Sequence, residues 1–135
     1  MGQVYDVVII GAGPAGCAAA LTLTKAGLSV ALFDKAIFPR DKTCGDALIP
    51  DARHALEKLG LSRRVVELSC PTHGMRLISC DGSDVLVRAH SACLPRLKLD
   101  GILLESANDP TGRFVPGQDI ISALDSTQDT NMVAF

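Results

Sequence analysis

The chain has 135 residues, is 47% hydrophobic and has a mean hydropathy of +0.27, enough for one domain with a buried core but short for a two-domain redox enzyme. A formal charge of −2 with scattered Lys and Arg leaves no basic stripe, which argues against nucleic-acid binding. Five cysteines, an odd number with no C-x-x-C, fit a reducing compartment rather than a disulfide scaffold, so a cytoplasmic location is expected.

The first predicted element is a buried parallel strand, Val7 to Ile10, a charge-free β-branched run. Gly11, Gly13 and Gly16 follow as G-x-G-x-x-G. Gly11 turns the chain out of the strand, Gly13 removes a Cβ that would hold a pyrophosphate away, and Pro14 suits the first helical turn, where its missing N–H costs nothing. The remaining amides and the helix dipole then form an anion site. Gly16, Ala20, Leu23 and Gly27 share one predicted helix face, small enough to lie close on a sheet. Val30 to Phe33 reads as the second strand. Asp34 ends it, near the expected offset of roughly 20 residues, and is expected to accept from a ribose 2′-OH while repelling a 2′-phosphate. That favours FAD or NAD over NADP.

Residues 7 to 24 carry no charge, a pattern that a membrane span or a signal-peptide core would also show. The preceding residues hold an acid and no Lys or Arg, and three glycines and a proline interrupt the stretch; neither membrane reading fits. Position 6 is Asp, which also breaks the myristoylation pattern. No transmembrane segment is expected.

Phe38 to Pro50 is a polar loop that turns apolar toward a helix. In Asp51 to Leu59, Ala52, Ala55, Leu56 and Leu59 form an amphipathic stripe, with Asp51 early, Lys58 late and Gly60 as a stop. A hairpin follows, with strands Met75 to Ser79 and Val85 to Ala89 around Asp81 and Gly82. If Ser79 pairs with Asp84, the same register sets His73 against His90 and Cys70 against Cys93, a Cys2His2 set for zinc. Because C-x-x-H is loose and Pro71 interrupts the first pair, strand-end packing is the favoured reading and no metal is assigned.

Pro95-Arg96-Leu97-Lys98-Leu99-Asp100, with Arg96 at a helix start, opens a further segment that continues through Leu103 and Ala107 to Arg113-Phe114-Val115. The G-A-G-P-A-G turn, the P-R-D-K-T-C-G loop and this R-x-x-L-D element together resemble the geranylgeranyl reductase family of FAD-dependent oxidoreductases over roughly residues 5 to 116. Cys44-Gly45-Asp46 stands where related flavin halogenases tend to have H-x-G-E-S.

The resemblance implies an α/β fold: a Rossmann-type FAD/NAD(P)-binding domain with a parallel sheet, helices and a small β-hairpin insertion. It implies FAD as cofactor and NAD(P)H as transient reductant, with hydride passed on to an isoprenoid C=C bond. Cofactor contacts are expected from Gly11, Gly13, Pro14, Ala15, Gly16, Asp34, Lys35, Cys44, Gly45, Ala47 and Arg96. Cys44 is the candidate catalytic residue. Arg40, Lys42 and a helix N-terminus are expected to favour its thiolate, opposed by Asp41 and Asp46. An isoprenoid or prenylated small molecule would be the substrate, with peripheral membrane contact.

The family continues into a Gly-Asp flavin segment and a substrate sheet, so residues 1–116 are expected to be an incomplete FAD-binding domain and 117–135 a divergent tail, with little turnover alone. A piece of a flavoprotein monooxygenase and a non-catalytic nucleotide-binding remnant are the alternatives.

Overall fold

Parallel strands buried on both faces need crossover helices, and the charge-free runs around the first glycines meet that need directly. In the computed structural model, which describes residues 4–44, 46–108 and the backbone of 112–116, the chain forms two units: Met1–Asp41 with Leu97–Phe135, and Lys42–Arg96. The expected tail lies outside the described residues.

In the first unit, β1 (Val7–Ile10), α1 (Pro14–Lys25) and β2 (Val30–Asp34) make the βαβ motif, and β6 (Gly112–Pro116) adds a third strand in the order β1-β2-β6. All pairings are parallel, Val7 opposite Val30 and Ile10 opposite Phe33 on one side of β2, Val30 opposite Gly112 and Asp34 opposite Pro116 on the other. Val30, Ala31 and Leu32 of this central strand are almost wholly buried. The start of the β1–β2 pair is pinned by Asp6, whose Oδ2 accepts from the Ser29 amide (2.8 Å) and hydroxyl (2.6 Å). Those bonds hold the Asp6 carboxyl below its ordinary pKa. The helix α4 (Arg96–Ala107) buries Leu99, Ile102, Leu103, Leu104 and Ala107. It also buries Asp100.

The buried face of α1 differs from the expected one: it is Cys17, Ala20, Leu21 and Thr24 rather than Gly16, Ala20, Leu23 and Gly27. Gly27 lies beyond the helix end and is exposed. Thr24 can be buried because its hydroxyl donates to the Ala20 carbonyl (3.0 Å) and leaves no orphaned polar atom.

The second unit contains β3 (Ala47–Leu48), α2 (Pro50–Lys58), α3 (Ser62–Leu68), β4 (Cys70–Ile78) and β5 (Asp84–Cys93), with an antiparallel sheet in the order β3-β5-β4. The expected insertion is therefore larger than a hairpin, and its strands are longer than their apolar runs. Its register also corrects the sequence expectation: Ile78, not Ser79, pairs with Asp84. A shift between Thr72 and Gly74 restores the expected offset at the open end, where Cys70 faces Cys93, and takes His73 and His90 out of paired positions. Among the described residues, no group of three or more His, Cys, Asp or Glu is placed to hold a metal.

Register also divides the ribbon by face. Met75, Leu77, Val85 and Val87 share one side, all about half exposed, while Arg76 and Asp84 form an ion pair on the other. Among the described residues, no helix is long and apolar enough to cross a membrane.

Candidate functional site

The glycine turn begins where Gly11 adopts φ +103°, a conformation that disfavours any side chain, while its amide still donates to the Phe33 carbonyl (2.7 Å). Gly16 is fixed by proximity instead. A Cβ there would sit 1.8 Å from the Gly11 carbonyl oxygen, so the first turn of α1 lies directly against the strand exit. Pro14 occupies the first helical turn, and the Cys17 amide makes an i→i−4 bond to Gly13 (2.9 Å). The amides of Ala15 and Gly16 precede it, at the positive end of the helix dipole.

The space at Gly13 makes this turn fit a pyrophosphate. Among the described residues, and apart from its chain neighbours, the one atom within 4 Å of the position a Gly13 Cβ would take is Nη2 of Arg40, at 3.7 Å, so the turn is an open cradle with a guanidinium beside it. Nη1 of that guanidinium is closed to solvent and has no hydrogen-bond partner among the described residues, although it stands 3.1 Å from Oδ2 of Asp100. The contact is an ion pair without a directed hydrogen bond, which leaves the donor unused.

Asp34 is placed differently from a free ribose acceptor. It is 8% exposed; its Oδ2 accepts from the buried Ala12 amide (2.7 Å) and its Oδ1 from the Ala36 amide (2.8 Å). Its carboxylate therefore braces the turn from beneath. Lys35, next in the chain, is exposed.

Cys17 lies under the turn, fully buried, with its thiol donating to the Ala12 carbonyl (3.3 Å). Burial first, then the charges of Asp100 and Asp34, push its pKa up to about 12, against a lowering effect of Arg40.

The remaining expected site residues belong to the second unit. Ala47 pairs with Cys93 in the sheet, and Gly45 lies outside the described residues. Asp46 adopts a left-handed φ of 54°, with its carbonyl accepting from Leu94 N–H (2.9 Å) and its Oδ1 from Arg96 N–H (3.1 Å). This brings Arg96 to Cys44. The Cys44 thiol is exposed, and a backbone hydrogen bond at Asp46, followed by one from the Arg96 side chain, lowers its pKa.

The expected thiolate partners are thus corrected. Arg40 is paired with Asp100 in the first unit, and the guanidinium at Cys44 is that of Arg96, distant in sequence and joined by the Asp46 bonds. Sequence reading missed the role of Asp100, whose signal is an acid on an otherwise apolar helix face.

The two thiols should react differently. We expect iodoacetamide to label Cys44 in the native chain at lower pH than a model thiol, and Cys17 only after denaturation, as read by peptide mass mapping. Arg96→Ala should move the Cys44 profile back toward higher pH. Equal native labelling of Cys17 and Cys44 would contradict both assignments.

Compared with known proteins, residues 4–130 match the FAD binding domain. The chain belongs to this FAD-binding family. Within it, the chain is 38% identical over 133 residues to a menaquinone reductase of Mycolicibacterium smegmatis, covering 93% of this chain and 31% of that protein. It is 40% identical over 80 residues to a digeranylgeranylglycerophospholipid reductase of Sulfolobus acidocaldarius, covering 57% of this chain and 17% of the relative. Among solved structures, a triple mutant of a flavin-dependent brominase superposes with a TM-score of 0.76 at 27% identity, over 84% of this chain and 30% of the other. The FAD-binding chain therefore spans about a third or less of the relatives it matches.

Proposed function

We propose that this chain is the FAD-binding part of a flavin-dependent reductase of geranylgeranyl reductase type, acting on an isoprenoid or prenylated substrate. The observation that carries the cofactor reading is the open Gly13 cradle at a helix N-terminus, with Arg40 Nη2 beside it. Gly11, Pro14, Ala15 and Gly16 would shape the cradle, Asp34 and Lys35 would lie toward the ribose, and Cys44, Gly45, Ala47 and Arg96 would form the second cofactor-contacting group.

Bound FAD would supply hydride transfer, drawing on NAD(P)H and delivering to a C=C bond. The chain's own residues would bind and orient. Cys44, its pKa lowered by the backbone hydrogen bond at Asp46 and then by Arg96, is the candidate to manage a proton there. The reductase names of two relatives support this class over a halogenase, as does Cys44-Gly45-Asp46 in place of H-x-G-E-S.

Reconstitution with FAD is expected to give a yellow protein whose flavin bleaches with NADPH under anaerobic conditions. Rapid peroxide release in air would point to a monooxygenase instead. A protein that binds neither FAD nor NAD would overturn the reading.

A further inference from the structure

We propose that Asp100 holds the Arg40 guanidinium over the Gly13 turn as a cationic clamp for a dinucleotide pyrophosphate, so that Asp100 is a positioning residue for a ligand it does not touch. This rests on the dinucleotide reading of the turn and adds the device that retains the phosphates.

Asp100 is completely buried on the apolar face of α4. A carboxylate in such a place requires a cation, and Arg40 Nη1 supplies it at 3.1 Å. Arg40 is held on a second side by the Phe38 ring, 4.9 Å from the guanidinium carbon. These two anchors restrict a long side chain that would otherwise sample many rotamers, and they leave Nη2 facing the Gly13 cradle.

A guanidinium offers five N–H donors in a planar fork, and one ion pair does not exhaust them. Because Asp100 engages the Nη1 end of the fork, the Nη2 end is the one that faces the Gly13 turn and can donate to a further acceptor there. A pyrophosphate at the turn provides oxygens of the right charge and geometry.

The competing explanation is that Arg40 serves only to neutralise Asp100. If so, a well-packed apolar pair would replace both without loss. Charge also argues for an aimed cation: Asp34 and Asp100 both lie within electrostatic reach of Cys17 beneath the turn, and without Arg40 this region would repel a phosphate.

The test uses the full chain, with FAD binding followed by fluorescence and with ADP and adenosine as competing probes. Arg40→Ala should weaken FAD and ADP roughly 10- to 100-fold, leave adenosine unchanged and flatten the salt dependence of ADP binding. Arg40→Lys should recover part of the loss. Asp100→Asn should weaken ADP roughly 3- to 10-fold with adenosine unchanged, because it frees Arg40 without removing it. The paired Arg40→Met/Asp100→Leu variant should regain thermal stability while ADP affinity stays low.

If the paired variant regains ADP affinity, or Arg40→Ala keeps the wild-type ratio of ADP to adenosine binding, the clamp is overturned and the dinucleotide reading stands. A wild-type chain that binds none of the three probes overturns both.

Discussion

Gly16→Ala is expected to lower stability by about 3 kcal/mol or more and to weaken FAD binding at least roughly tenfold. The added Cβ would lie 1.8 Å from the Gly11 carbonyl oxygen, 3.0 Å from its carbon and 3.4 Å from Cγ2 of Ile9. Backbone cannot rotate away as a flexible side chain can. Reaching ordinary contact requires the start of α1 to move by about 1.5 Å relative to the strand exit. That start carries the Ala15 and Gly16 amides and the helix dipole, so the anion site and the core packing shift together.

Thermal melting should fall by roughly 10 °C or more. Gly101→Ala serves as the control. Among the described residues outside its own helical turn, a Cβ at Gly101 in the interior of α4 meets nothing within 4 Å, and the change should raise stability by about 0.5–1 kcal/mol through helix propensity. If Gly16→Ala melts and binds FAD like the wild type, the close approach of helix to strand is not the basis of the turn.

The contrast between these two glycines indicates which features were legible in the sequence. Gly11, Gly13 and Gly16 could be read because their spacing encodes local backbone demands that follow from a strand, a turn and a helix in succession. The hairpin centred on Asp81 and Gly82 was legible for the same reason. The bulge between Thr72 and Gly74 was not, because it answers to the whole β3-β5-β4 sheet rather than to the turn. The buried side of α1 lies about one position from the face the small residues mark, since a threonine that satisfies its own hydroxyl counts as apolar when packed.

Charge partners were the least legible. Arg40 stands next to Asp41 and close to Cys44 in sequence, yet its partner is Asp100 on α4, while Cys44 draws its cation from Arg96. Side-chain reach makes near neighbours in sequence plausible partners, but strand direction and helix face decide the pairing. The R-x-x-L-D element held both answers, with Arg96 and Asp100 four residues apart. They belong to different units.

Asp34→Asn is expected to show that one carboxylate carries two tasks. In the structure its two oxygens each accept one backbone amide, from Ala12 and Ala36, and a carboxylate has about four lone-pair sites, so each oxygen retains capacity for a ribose hydroxyl. An asparagine has one acceptor oxygen, and its NH2 would face the other amide donor to donor. The buried Ala12 amide makes that mismatch costly, by about 1–3 kcal/mol. Asp34→Ala should lose as much or more.

Ligand preference separates the ribose role from the brace. A 2′-phosphate approaching Asp34 would meet a like charge, worth about 4 kcal/mol at 4 Å with an effective dielectric constant of 20 and less where water reaches the ligand. The wild type should therefore prefer ADP-ribose over 2′-phospho-ADP-ribose by roughly tenfold or more, and Asp34→Asn should lose most of that preference. Titration of both ligands into both proteins at a temperature well below the mutant's melting point measures the two effects independently. Lower stability with an unchanged preference would leave Asp34 as an internal brace alone, and the choice of nucleotide would then fall to Lys35 or to residues beyond the turn.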